Sequence, residues 1–219
     1  MIANLGVWGK HTQDAGARHN LRMDATKTEI AAMAARMVVE EGQEWGAAKR
    51  RAVKQLGLSP RTALPDNETL ERAIEEHIAL FCADTQAQEL RTLRELALVW
   101  MHRLQPFRPT VSGSVWHGSA TRHSDIYLQL FCDDPKSAEI FLIDNNVPYT
   151  PGSLPGWKGE MVDALHIQLR CPAWGSYVVL HLMVYDLDDL RGALRPDPRG
   201  RAPRGDMAAL RALVHDDAP

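Results

Sequence analysis

The sequence predicts an α+β fold: an N-terminal helical bundle, then a small domain of mixed or antiparallel sheet with flanking helices. Two observations carry this. Between residues 25 and 105 apolar residues recur at three- and four-residue steps, the period of helices with one buried face. After Pro109 the step becomes two, the period of strands. With 219 residues, 45% hydrophobic and 24% charged, the chain has the composition of a globular protein able to bury a core.

Residues 1–24 lack a clear period and strong caps and are expected to form a flexible arm. From Lys27 the residues Ile30, Met33, Ala34, Met37 and Val38 line one helical face, until Gly42 interrupts. A second helix is expected from about Glu44 to Leu56, closed by Gly57. Ser59-Pro60 and Leu64-Pro65 mark a loop. Asp66 or Asn67 caps a third helix with Leu70, Ile74, Ile78 and Phe81 on its apolar stripe. Thr85 and Gln88 have capping-box spacing and open a fourth helix carrying Leu90, Leu93, Ala97, Trp100 and Leu104, which Pro106 and Pro109 end. The helical domain is therefore expected at 25–108 and the sheet domain at 109–219.

In the second domain, Thr110–Val115 reads as a short strand. In Asp125–Asp133, Ile126, Leu128, Leu130 and Cys132 face one side, and Asp125, Tyr127, Gln129 and Phe131 the other. Asp134-Pro135 opens a helix through Ile143. Met161–Arg170 and Ser176–Tyr185 read as two strands pairing antiparallel across a Pro172–Gly175 loop. Asp188-Asp189 opens a short helix, an Arg-Pro-Gly-rich loop follows, and Asp206 caps the last helix.

Bulk properties narrow the partners. A net charge of −3 supplies no global basic field for nucleic acid. Cys82, Cys132 and Cys171 are far apart, odd in number and outside any C-x-x-C pair, which suits thiols in a reducing cytoplasm. Lys10 and His11 end the N-terminal apolar run early, so no signal peptide is expected. No apolar run approaches the ~18–20 residues needed to span a bilayer, so no membrane partner is expected.

Chemistry points to Gly113–Leu128. A Gly-Ser pair ends one strand, Gly118 follows, and Ser124-Asp125-Ile126-Tyr127-Leu128 opens the next. Glycine permits a tight turn and close backbone approach to a ligand, and the serine hydroxyl adds a donor. Asp125 and Tyr127, two apart on a strand, share a face. This layout resembles the DNA polymerase β-like nucleotidyltransferases, with their Gly-Ser, fixed gap and Ser-Asp-hydrophobic-Asp-hydrophobic run. It departs from them where Tyr127 stands in place of the second metal-binding Asp.

The resemblance implies a nucleoside triphosphate (NTP) at Gly113, Ser114, Gly118 and Ser124, with Asp125, Tyr127 and His181 at the three positions that normally carry carboxylates. Members transfer a nucleoside monophosphate to a hydroxyl using divalent cations, here Mg²⁺ or Mn²⁺, for which Asp125 and His181 are the expected ligands. The acceptor, whether nucleic acid, small molecule or protein, lies outside the motif, and a homodimer is left open. Two readings follow: a nucleotidyltransferase with weak or lost transfer, or a non-catalytic nucleotide-sensing or protein-interaction module. A third acid separates them: Asp186, Asp133 or Glu139 converging on Asp125 favours the enzyme.

Other polar groups carry weaker signals. His117 and His123 flank the loop and read as solvated, and His181 as a hydrogen-bonded core histidine. Lys49, Arg50, Arg51 and Lys54 read first as a solvated helix face beside Glu40, Glu41 and Glu44. The arginines from Arg191 to Arg211 make the C-terminal segment the most basic part of the chain, and Arg204 is assigned a triphosphate or acceptor contact. Trp45 and Trp100 read as core.

Overall fold

The computed structural model describes the backbone of residues 8–196 and 200–216, and the side chains of residues 24–196 and 200–215. The chain divides into two compact units, Met1–Phe81 and Cys82–Pro219.

In the first unit, α1 (Trp8–Glu41) packs against α2 (Trp45–Gln55) and α3 (Asn67–Phe81). Ile30, Ala31, Ala34 and Met37 of α1, Ala48 and Ala52 of α2, and Leu70 and Ile74 of α3 are buried. The spacing within each set is the helical repeat read from the sequence. Of the expected 1–24 arm, residues 1–7 lie outside the described residues, whereas Trp8 onward forms the first turns of α1.

Glu44 caps α2, its carboxylate accepting from the backbone N–H of Gly46 and Ala47 at 2.9 Å each, a cap worth about 1 kcal/mol. Asp66 accepts from Thr69 N–H at 2.7 Å, fixing the start of α3. The basic run is dispersed. Lys49 is buried and donates to Pro65 O and Asn67 Oδ1, and burial pushes its ammonium below the usual lysine range against Asp66 and Glu44. Arg51 pairs with Glu41 at 2.7 Å.

The second unit begins with α4 (Gln86–Arg103). Period alone placed this helix in a 25–108 bundle, but it belongs with the sheet: Leu93, Ala97, Trp100 and Met101 share one core with Val111, Leu128 and Leu180. A helical stripe tells which face is buried and is silent on what buries it. The Thr85–Gln88 capping box is not made, since Thr85 forms no side-chain cap bond.

After α4 come β1 (Thr110–Ser112), α5 (Gly113–His117), β2 (Ile126–Cys132) and α6 (Lys136–Asp144). Then follow β3 (Thr150–Pro155), β4 (Met161–Cys171), β5 (Ser176–Asp186), α7 (Leu190–Ala193), β6 (Arg204–Gly205) and α8 (Met207–Asp216). The sheet order is β3-β4-β5-β2-β1-β6. β2 and β5 run parallel and the other pairs antiparallel, so the sheet is mixed. No helix among the described residues is long and apolar enough to cross a membrane.

Two elements escaped the sequence pattern. β3 contains Pro151, Gly152 and Pro155, which sequence reasoning takes for loop, yet it lies on the sheet edge, where proline is tolerated. β6 has two residues and no pattern to read. The strand expected over Thr110–Val115 stops at Ser112, because Gly113 at φ 71° turns the chain into α5.

Register sets the two faces of the sheet. Val111, Leu128, Leu182 and Leu165 are paired in one cross-strand row, all buried. Burying each such leucine contributes roughly 1.5–3 kcal/mol. The adjacent row points the opposite way: Arg204, Ser112, Tyr127, His181, His166 and Thr150.

Candidate functional site

Gly113 opens α5 between the antiparallel strands β1 and β2. Its φ of 71° is left-handed, a conformation costly to side chains, and a Cβ there would lie 3.6 Å from the Tyr127 ring. Gly118, at φ 93°, closes α5, and its N–H and that of Ser119 both donate to Ser114 O. Ser124 does not face an open cradle: its Oγ accepts from Thr121 N–H at 3.0 Å and its N–H donates to Thr121 O, closing a local turn.

α4 holds this segment in place, a role with no signature in the sequence. Arg94, 5% exposed, donates from Nε to Val115 O at 3.1 Å and from Nη2 to Trp116 O at 3.3 Å. Gln86 Nε2 donates to the carbonyls of Gly118 and Ala120, and Glu89 accepts from Arg122 N–H. The turn is thus fixed by five side-chain bonds from one helix.

Asp125, Tyr127 and His181 lie together. Tyr127 pairs in register with His181 across the parallel β2–β5 ladder. Their rings stack with centroids 4.6 Å apart and planes at 25°. Asp125 Oδ2 lies 3.1 Å from His181 Nε2. On its other side, His181 Nδ1 lies 2.7 Å from Nδ1 of His166 on β4. A carboxylate only accepts, so a neutral His181 donates from Nε2 and accepts at Nδ1 from His166. Burial, then His181, push the His166 imidazole below its usual value, with Asp125 opposing. Gly152 makes room for this ring: a Cβ there would sit 2.5 Å from His166 Nε2. His166 was missed by sequence reasoning; its only signal was one histidine near the middle of each of two pairing strands.

The acids that could complete a cation site lie elsewhere. Asp186 pairs with Cys132, five residues along β5 from His181 and so about 17 Å away. Its carboxylate accepts from Asp188 N–H at 2.9 Å. Asp133 follows Cys132, at the opposite end of β2 from Asp125. Glu139 on α6 bonds Lys136 and Tyr149, both of which hold its carboxyl below the usual range. Among the described residues no three His, Cys, Asp or Glu side chains form a metal-holding group. The two expected ligands, Asp125 and His181, bond each other. One carboxylate, already engaged, does not fit a centre for two divalent cations.

The remaining expectations distribute simply. His117 and His123 are exposed. Arg204 shares the cross-strand row of the site, but its side chain turns beneath Trp157. Trp100 is core, whereas Trp45 is half-buried.

No protein-family model matches the chain, and no curated protein or solved structure is significantly similar to it.

Proposed function

We propose that the Cys82–Pro219 unit is a nucleotidyltransferase-like domain that binds an NTP beside the Gly113–Ser114 turn and has weak or no nucleotidyl transfer. The carrying observation is the convergence of Asp125, Tyr127 and His181 next to a left-handed Gly113, with one carboxylate among the three. The strand–turn–strand arrangement supports the nucleotide reading. Two-metal transfer depends on cations neutralising charge at the entering and leaving oxygens, and a single bonded carboxylate supplies little of the ligand charge they need.

The same observation favours a nucleotide-sensing or partner-docking module over an enzyme with an unidentified hydroxyl acceptor. Asp186, Asp133 and Glu139, the acids that would have favoured the enzyme, do not approach Asp125. A cytoplasmic setting fits the buried thiols of Cys132 and Cys171. Calorimetric titration of each NTP into the protein, with and without Mn²⁺, tests the reading. Binding lost in Gly113→Val supports it, and equal affinity in that variant removes the turn from the site.

A further inference from the structure

Among the described residues, Arg204 is a buried cation with no carboxylate beside it. It is 8% exposed, and its guanidinium lies 3.9 Å from the centroid of Trp157. Trp157 stacks in turn on Tyr185, ring centroids 3.9 Å apart. Nη1 donates to Ala193 O at 2.6 Å, while Nε is buried with no acceptor. No carboxylate among the described residues pairs with it. Burial pulls its pKa down, and the Tyr185 phenol is the one group opposing. Buried guanidinium groups are normally paired, because the charge loses its hydration and an orphaned N–H loses a partner.

Arg204 pairs with Ser112, the residue immediately before Gly113, and Ser112 pairs with Tyr127. The Arg204 backbone thus lies in the row of the candidate site, while its guanidinium lies against Trp157, which stacks on Tyr185, four residues along β5 from His181 and so about 13 Å away along the strand. The guanidinium's planar fork of donors suits the oxygens of a phosphate.

The cover over Arg204 is the tip of the β3–β4 hairpin, residues 156–160, which carries Trp157. Gly156 N–H donates to Glu160 O, and Gly159 adopts φ 89°, so the tip is a closed turn of its own. One ion pair, Lys158 with Asp189, ties it to the turn before α7, and the lysine is exposed. Lifting the tip breaks that surface pair, the Trp157 contacts with Tyr185 and Phe131 and the hydrogen bond from the Trp157 backbone to the Tyr185 hydroxyl, and uncovers the guanidinium.

We propose that Arg204 is a latent oxyanion site with the 156–160 hairpin tip as its lid, and that it takes a phosphate-type group. The identity of that group as a nucleotide's phosphate rests on the nucleotide reading above. The site itself does not.

The test uses the full chain in phosphate-free buffer, with melting temperature and tryptophan fluorescence read against inorganic phosphate, pyrophosphate and ATP. Wild type is expected to gain stability with at least one of them and to change its Trp157 emission. Arg204→Met should lose that gain and, free of anion, melt no lower than wild type, because an apolar isostere relieves the buried charge. Lys158→Ala, at an exposed position, should bind the anion about twofold tighter, since opening the lid costs one surface ion pair less. An equal anion response in wild type and Arg204→Met overturns the proposal, as does no response to any of the three anions. If Arg204→Met does not fold, unchanged affinity in Lys158→Ala overturns it. A response to phosphate or pyrophosphate without one to ATP keeps the Arg204 site and removes the nucleotide reading. ATP binding undiminished in Arg204→Met does the reverse.

Discussion

Tyr127 stacks on His181 with ring centroids 4.6 Å apart, one residue from each strand of the parallel β2–β5 pair. At the two positions where the sequence motif leads us to expect carboxylates, two rings lie against each other. Aromatic pairs of this kind contribute about 0.5–1.5 kcal/mol beyond their buried area.

An acid at position 127 should give the site cation affinity at some cost in stability. Tyr127→Asp places a second carboxylate two residues from Asp125 on the same strand face. Calorimetry is expected to show Mn²⁺ binding stronger than in wild type, together with a lower melting temperature from the lost stack. Equal, undetectable binding in both proteins would mean that the surrounding backbone cannot accommodate a cation either.

Arg94 should matter more than its distance in sequence from the motif indicates. It is buried and serves two backbone carbonyls of α5. Arg94→Ala leaves Val115 O and Trp116 O without these donors and should destabilise the second unit by about 2–3 kcal/mol. Denaturant unfolding measures this, and nucleotide affinity should fall in parallel. A change under about 0.5 kcal/mol, the usual effect of a surface substitution, would show that the turn holds itself.

The pH response of His166 follows from its surroundings. Its folded pKa lies below its ordinary value through burial and His181. The unfolded chain then binds the proton more readily, so stability is full above the ordinary histidine value of about 6.5 and is lost as pH falls toward the folded value. His166→Gln should flatten that acid-side loss. Asp125→Asn removes the charge that raises the His166 pKa and should push its NMR titration midpoint lower still. A His166 midpoint at or above about 6.5 contradicts the described environment.

Gly152 offers an independent check on the histidine chain. A Cβ there would meet His166 Nε2 at 2.5 Å, so Gly152→Ala must displace the ring. The His166–His181 bond should break, and the His166 midpoint should move toward the ordinary histidine value as the ring becomes more solvated. An unchanged midpoint would mean that strand β3 yields instead.

The helices and the central strands were legible because each carries a period: Ile30 to Met37 at helical steps, Ile126 to Cys132 at strand steps. Asp125 and Tyr127 were legible as one face because strand alternation fixes it, and His181 was added only through the resemblance. The rest depended on register, which a single sequence does not disclose. His166 joins the site only because it pairs with His181, and the place of Arg204, singled out by its basic surroundings, came from a two-residue strand pairing with Ser112. The choice of α4 as the sheet's partner was equally hidden, since Leu93 and Ala97 would suit a bundle as well as a sheet. Asp186 looked like a substitute ligand from its position after β5, but the parallel register sets it opposite Cys132, at the far end of the strand from Asp125.

Nucleotide binding without efficient transfer is tested by incubation with labelled NTPs. Each NTP is added with Mg²⁺ or Mn²⁺ and a cell extract as acceptor pool, while binding is followed on the same preparation. The expected result is measurable binding, abolished in Gly113→Val, with weak or no labelling of any acceptor. Robust Mg²⁺-dependent labelling that disappears in Asp125→Ala would contradict the account and show that one carboxylate suffices for an active site.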